Sequence, residues 1–535
     1  MASNSSKQCK GMHCVIGSGP AGVACAKALL ARGAKVLMLD AGLELEPERA
    51  RIVRQFAESK PTDWPAGSVA ALKGDMQPDT DGVPLKMLFG SDFPYRETES
   101  HVPWQGHRIS LRPSLALGGL SNVWGAAMLP YRDADITEWP IKIADLERHY
   151  RAVAQFTGLS AGHDDLEEWF PIYCENPSTL QPSEQAARLL RNLGRHRQAL
   201  REQGWRFGSA RLAVRAADSP EGIGCIYCGF CLYGCPYGCI YNSAATVRTL
   251  RADPNFSYEN DAIVTSLQER AGKVAIEGFN RRTHTPFLLE AGRAFLAAGV
   301  IPTAQIVLRS LSAYDRRLCL RDSQYFFLPI LLARRARGVR GKPLHTLSQV
   351  FLDLLRPEIS PHTVHLQIYT YNDLIGQAIR KTLGPLGFLA NSLDERMLVV
   401  QGYLHSDESQ TISMTLKRDG EKDCLHLQAQ PNPRTLRTVK RVLRELFRQA
   451  RRLGGVPLPP LLQFAQPGRG YHCAGSIPMR REPDPLESDV LGRPHGWTRI
   501  HLADASVLPS VPATTITFSV MANAHRIGWE SAALD

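Results

Sequence analysis

His13-Cys14-Val15-Ile16-Gly17-Ser18-Gly19-Pro20-Ala21-Gly22 opens on four residues suited to a buried strand and closes on a glycine turn of the form G-x-G-x-x-G. The alanine- and leucine-rich run Val23 to Ala31 predicts a helix, with Gly33 placed to end it. A second apolar run, Val36-Leu37-Met38-Leu39, predicts another strand and finishes at Asp40. In a strand–turn–helix of this kind each glycine has a task. Gly17 permits the turn, Gly19 lets backbone approach a diphosphate, and Gly22 lets helix and strand pack closely. The helix N-terminus offers free N–H groups and partial positive charge to phosphate, and Asp40 stands where a carboxylate accepts ribose hydroxyls. The motif points to a dinucleotide and leaves NAD and FAD both open.

Composition bounds the rest. A chain of 535 residues is long enough for two or more domains, and 44% hydrophobic with 21% charged residues is an ordinary globular balance. The 63 basic and 52 acidic residues leave +11, which favours anionic partners: phosphorylated substrates, nucleotides or an acidic membrane surface. No nucleic-acid-binding module accompanies the charge, so nucleic acid is not expected. Met1 to Met12 is polar, and no stretch approaches the roughly 18 apolar residues of a spanning helix. A cytoplasmic protein, at most peripherally membrane-bound, is expected.

The far end of the chain bears on the cofactor. Tyr471-His472-Cys473-Ala474-Gly475-Ser476-Ile477-Pro478-Met479 precedes His501-Leu502-Ala503-Asp504-Ala505-Ser506-Val507-Leu508-Pro509. Pro512-Ala513-Thr514-Thr515-Ile516-Thr517 follows and leads into a helix from about Phe518 to Trp529. Earlier stand Leu117-Gly118-Gly119-Leu120-Ser121-Asn122-Val123-Trp124-Gly125, Glu138-Trp139-Pro140-Ile141 with Leu146 and Tyr150, and Phe295-Leu296-Ala297-Ala298-Gly299-Val300 with Leu308. In this order the segments resemble the glucose–methanol–choline (GMC) family of FAD oxidoreductases over all but about residues 313 to 465.

The resemblance implies FAD and an α/β fold with an α+β second domain. A Rossmann-like FAD-binding domain would be built from 8–145, 225–312 and 466–535, and an antiparallel-sheet substrate domain from 146–224 and 313–465. It implies that His472 sits over the flavin and helps deprotonate an alcohol while hydride goes to flavin N5. The chemistry asks for such a group, because a carbinol carbon releases hydride readily only as its hydroxyl proton departs, and imidazole titrates nearest neutrality. Thr515 falls where the family places His or Asn. Threonine can make a hydrogen bond but cannot act as a base near neutral pH. Either His472 works alone with Thr515 orienting the substrate, or the chemistry departs from alcohol oxidation. The alternatives are a flavin-containing lyase or isomerase without net redox, and an idle FAD-binding scaffold.

By the same resemblance Gly118, Gly119, Asn122 and Trp124 pass the flavin ring, Val264 touches the adenine, and Asp504, Ala505 and Thr517 meet the ribityl and pyrimidine ends. Ser121 to Trp124 holds no histidine for a covalent link, so non-covalent FAD is expected. The expected reaction is oxidation of a CH–OH group in an alcohol or sugar-like substrate, with an external electron acceptor favoured over oxygen.

Two stretches stand apart. Cys225, Cys228, Cys231 and Cys235-Pro236, with Cys239 close behind, have the spacing of ferredoxin ligands. An iron–sulfur cluster, a zinc site and a tight loop of packed thiols all fit that spacing. Tyr325 to Leu332 is apolar and is followed by Arg334, Arg335, Arg337, Arg340 and Lys342. It reads either as a buried strand with a solvated basic loop, or as a device that docks on an anionic membrane or grips a phosphorylated or lipid-linked substrate. The runs 363–369, 397–403, 411–415 and 425–428 predict strands of a sheet roofing the flavin, and 432–453 a basic amphipathic helix.

Overall fold

Met12–Ile16 lies at the centre of a five-stranded, wholly parallel sheet. Its order is Ile500–Leu502, Arg293–Leu296, Met12–Ile16, Lys35–Leu39 and Phe256–Glu259. Parallel neighbours need a crossover, and Pro20–Ala31 supplies the one between Met12–Ile16 and Lys35–Leu39. Pro20 suits the first helical position because its φ is already helical and its missing N–H would have had no partner. The coordinates are a computed structural model that describes residues 7–8, 11–75, 85–385, 390–420 and 422–534.

The last helix, Ile516–Ser531, runs along Pro20–Ala31. Gly528 permits the approach, since a Cβ there would stand 2.8 Å from the Cys25 carbonyl oxygen. Helix Ile143–Thr157, which straddles the boundary expected at residue 146, packs on this last helix. Tyr150 Oη meets Ser519 Oγ at 2.6 Å, and His149 Nδ1 meets His525 Nδ1 at 2.8 Å.

A larger sheet of seven strands stands opposite. From edge to edge run Gly455–Pro457, Tyr325–Leu332, Met397–Tyr403, Ser360–Tyr369, Val350–Arg356 and Trp205–Ser209, with Gln463–Phe464 also pairing to Tyr325–Leu332. Alternate residues point to opposite faces. Phe326, Leu328, Ile330, Leu366, Ile368 and Val400 join a buried core with helices Glu184–Arg195 and Pro433–Arg448. The residues between them face a cavity. Tyr325–Leu332 is therefore an interior strand, and its apolar side chains are not offered to a membrane.

The expected roof is divided. Ser360–Tyr369 and Met397–Tyr403 belong to it, but Thr411–Asp419 and Lys422–Gln430 do not. They form a separate five-stranded sheet with Arg317–Asp322, Cys473–Ala474 and Trp104–Gly106. Their alternate residues Ile412, Met414 and Leu416 bury into the same core as the parallel sheet, which fixes that assignment. The helix expected over 432–453 breaks at Gln449 into Pro433–Arg448 and Ala450–Leu453. Among the described residues no helix is long and apolar enough to cross a membrane.

Candidate active site

The glycine turn is closed by contacts that only hydrogen allows. Gly17 takes φ +104°, and a Cβ there would stand 2.5 Å from the Ala297 carbonyl oxygen. A Cβ on Gly22 would stand 1.9 Å from the Gly17 carbonyl oxygen. Gly19 differs. Nothing lies within 4 Å of its Cβ position, and it begins the helix without a side-chain cap. Ser18, Gly19 and Pro20 line a cavity of about 770 Å³, so the uncapped N–H groups of this helix end border open space.

Asp40 borders the same end. It accepts hydrogen bonds from Ser18 Oγ at 2.6 Å and Tyr258 Oη at 3.0 Å, and burial pushes its carboxyl up to about 6 against the pull of those donors. Val264 lines the cavity beside it, with Ala262 donating its N–H to the Asp40 carbonyl at 2.9 Å. Gly119 closes over the turn, its Cβ position 3.3 Å from Gly19 Cα. Trp124 lines the cavity too and is held by its Nε1–H donating to the Tyr241 carbonyl at 2.9 Å.

Two residues expected along the flavin ring do another job. Neither Gly118 nor Asn122 reaches the cavity. Asn122 donates to the carbonyls of Leu117 and Gly119 at 3.0 and 2.7 Å and accepts from Asn242 at 2.7 Å, which holds the loop's shape. Gly118 lies under the loop, where a Cβ would be 2.6 Å from Asn242 Oδ1.

The C-terminal block completes the wall. Asp504 accepts from Gly299 N–H at 2.8 Å, Thr303 Oγ1 at 2.6 Å and Ser506 N–H at 2.9 Å, and burial raises its pKa. It thereby ties the helix Val300–Ser310 to the last strand, with Ala505 and Thr517 beside it in the cavity. A helix end with open N–H groups, two glycine turns in contact and two buried carboxylates along one elongated cavity fit FAD.

His472 stands at the far end. Its backbone carbonyl accepts from Ser323 N–H at 3.0 Å, and the next residues, Cys473–Ala474, pair with Arg317–Asp322. Tyr471 before it takes φ +53°, a left-handed conformation that costs energy for tyrosine and aims the histidine. The ring stacks on Tyr403, centroids 5.0 Å apart and planes at 22°. Nδ1 is buried without a hydrogen-bond partner, and a ring that carries its proton there would have Nε2 as its accepting nitrogen. Burial, with the neighbouring His365, pushes its pKa down to about 4, so the imidazole is neutral near pH 7. Thr515 lines the cavity as well, and its Oγ1 accepts the Leu129 N–H at 3.1 Å, leaving the hydroxyl proton to donate.

Several residues of this region were missed in the sequence. Tyr403 supports the His472 ring. His365 behind it is fixed by Asp353, Nδ1 to Oδ1 2.9 Å, with both side chains fully buried. Asp322 accepts from Gly468 N–H at 3.0 Å and from Cys473 Sγ at 3.3 Å, anchoring the His472 segment. The available signal was a period of two: Tyr325, Phe327 and Pro329 on one strand, Val399, Gln401 and Tyr403 on the next.

The cysteines do converge. Cys225, Cys228, Cys231, Cys235 and Cys239 line one chamber with His345, but its volume is about 10 Å³, room for about one water. Burial pushes the Cys225 and Cys228 thiols up to about 12, while a hydrogen bond from Cys239 draws the Cys235 thiol down to about 6. Packed thiols describe this loop; an iron–sulfur cube has no room as the side chains stand. Among the described residues one His/His/Asp group is compact enough for a metal, His362, His405 and Asp407. The two rings stack 3.7 Å apart at 11°, so no single ion lies in both ring planes. The basic residues after Leu332 do not reach the cavity either, and Arg340 is engaged by Asp394. A grip on a phosphorylated or lipid-linked substrate by that loop is thereby removed.

Residues 413–524 match the family model described as GMC oxidoreductase. The chain is 24% identical over 548 residues to 6'''-hydroxyparomomycin C oxidase of Streptomyces lividus, covering 96% of this chain and 90% of that protein. In structure it resembles pyridoxine 4-oxidase from Mesorbium loti, with TM-score 0.59, 14% identity, and 97% of this chain and 98% of that one covered. It also resembles a formate oxidase of Aspergillus oryzae RIB40, with TM-score 0.59, 14% identity, and 100% and 99% covered. Residues 413–524 thus carry a GMC oxidoreductase C-terminal domain, and the chain as a whole shares the fold of these oxidases.

Proposed function

We propose that this oxidoreductase oxidises a CH–OH group, with His472 Nε2 taking the hydroxyl proton. FAD, when bound, supplies the hydride acceptor at flavin N5. The observation that carries the reading is the position of His472. A neutral imidazole with its Nδ1 buried and unpartnered lines the same cavity as the glycine turn. A neutral ring accepts a proton, whereas an imidazolium could only donate. The Thr515 hydroxyl, with the Leu129 N–H as its donor, is left to donate to the substrate oxygen. Tyr403 stacks against the imidazole and holds its plane.

The relatives named above carry oxidase names, which supports oxygen as the electron acceptor over the external acceptor expected from the sequence. Anaerobic addition of an alcohol substrate bleaches the flavin and yields one carbonyl product per flavin, and readmitted oxygen restores the colour with formation of peroxide. A lyase, an isomerase or an idle scaffold leaves the flavin yellow. Bleaching that oxygen does not reverse, but an artificial dye does, keeps the CH–OH chemistry and replaces oxygen with an external acceptor.

A further inference from the structure

Resting on that reading, we propose that the substrate is an uncharged alcohol with an apolar body, and that Gln401 at the centre of the sheet wall selects for neutrality. The two walls of the cavity differ in charge. Asp40 and Asp504 are its only carboxylates among the described residues, and both lie in the dinucleotide half. None of its lining cations belongs to the sheet strands. Lys86 donates to the Trp124 carbonyl at 2.8 Å, Arg309 is engaged by Asp423, and Arg112 and Arg469 lie beside Tyr95.

The sheet residues that line the cavity carry no charged side chain among the described residues; the Asp353–His365 pair of the same sheet is buried and does not line it. Its strands give amide and phenol groups at alternate positions: Gln367 and Tyr369 from Ser360–Tyr369, and Gln401 and Tyr403 from Met397–Tyr403. Gln401 pairs across to Gln367 on one side and to Phe327 on the other. It therefore sits between a polar patch and an apolar one, the latter continued by Pro329 opposite Val399. Leu374 and Ile375 of helix Asp373–Leu383 extend the apolar side, and Leu461, half exposed, stands at the rim. Asp373 lies next to this helix start but is bound by Lys73 and does not line the cavity.

Amide and phenol groups can satisfy hydroxyls in either hydrogen-bond direction, while an ammonium or phosphate buried against this wall would find no counter-charge on it. The wall thus fits a neutral molecule with a few hydroxyls at the Gln367–Gln401 end and an apolar portion along Phe327, Pro329 and Val399. A polyamine sugar or a sugar phosphate does not fit it.

The test uses three benzyl alcohols of matched shape, bearing a para hydroxymethyl, aminomethyl or carboxylate group. The holoenzyme is titrated anaerobically, with binding read by calorimetry and flavin bleaching followed separately. The neutral member is expected to bind at least about 30-fold more tightly than either charged one. Binding of a charged member within threefold of the neutral one, or no binding by any of the three, overturns the proposal. In Gln401→Glu the order inverts: the aminomethyl alcohol gains about tenfold and the neutral one loses. Gln401→Met, which keeps the wall uncharged, gives the amine no gain. An amine gain in Gln401→Met, or none in Gln401→Glu holding its full flavin, overturns the role of Gln401. Neutral-selective binding without bleaching leaves this proposal standing and sinks the redox reading. Bleaching by all three at equal affinity does the reverse.

Discussion

The two walls of the cavity are built on opposite plans. The dinucleotide wall is made of loops and helix ends in which hydrogens, not side chains, meet the neighbour: Gly17 against Ala297, Gly22 against Gly17, Gly119 over Gly19. The sheet wall is flat and regular, and its cavity-facing residues alternate with core residues. A group added to the first wall collides with backbone. A group changed on the second points into open space while Phe326, Leu328 and Val400 hold the fold from the other face. The first wall is therefore fixed by geometry and the second is free to be fitted to a substrate.

Removing the one side chain that acts between the walls has the largest expected effect. His472→Ala lowers the rate of anaerobic flavin reduction by about 10²–10⁴, the usual worth of a general base, with flavin content unchanged. The pH profile of the intact enzyme sharpens this. Since burial holds the imidazole pKa near 4, the base form is present through neutrality, and flavin reduction stays level there and falls as pH drops through about 4. A rate that rises on acidification contradicts the assignment.

The glycines break the comparison from the other side. Gly22→Ala forces a Cβ onto the Gly17 carbonyl and is expected to cost about 1–3 kcal/mol of stability along with flavin retention, read by thermal unfolding and flavin absorbance. Gly19→Ala meets no protein atom, so its apoprotein unfolds at the same temperature while the holoprotein binds flavin less tightly. Equal unfolding temperatures for the two apo variants contradict this account of the turn. Thr515→Val removes one hydroxyl, and a loss of about tenfold in kcat/KM is expected, the worth of one hydrogen bond. The smallest effect belongs to Tyr403→Phe, which keeps the ring under His472; under about threefold is expected.

The same division decides what the sequence made legible. That the glycine turn, Asp40 and the His472 segment belong to one site could be read because glycine has no substitute where a Cβ collides, and the cavity does bring these residues together. The boundaries were close for the same reason, Met12–Ile16 and Pro20–Ala31 against His13 to Ile16 and Val23 to Ala31. Gly118 and Asn122 were misplaced because sequence shows that a loop is tight and not which side faces the ligand. Thr411–Asp419 and Lys422–Gln430 were put in the wrong sheet because the pairing of Thr411–Asp419 with Arg317–Asp322 spans about a hundred residues and leaves no local mark. The basic run after Leu332 suggested a membrane because charge is visible in a sequence, whereas the burial of Phe326 and Leu328 is not.

Carbinol hydride leaving for the flavin as His472 takes the hydroxyl proton is tested most directly by anaerobic stopped-flow bleaching with an alcohol deuterated at the carbinol carbon. The account predicts that deuterium slows bleaching severalfold in the native enzyme, and that flavin-replete His472→Ala bleaches about 10²–10⁴ more slowly. Product formed without bleaching, or His472→Ala bleaching at the native rate, would contradict it.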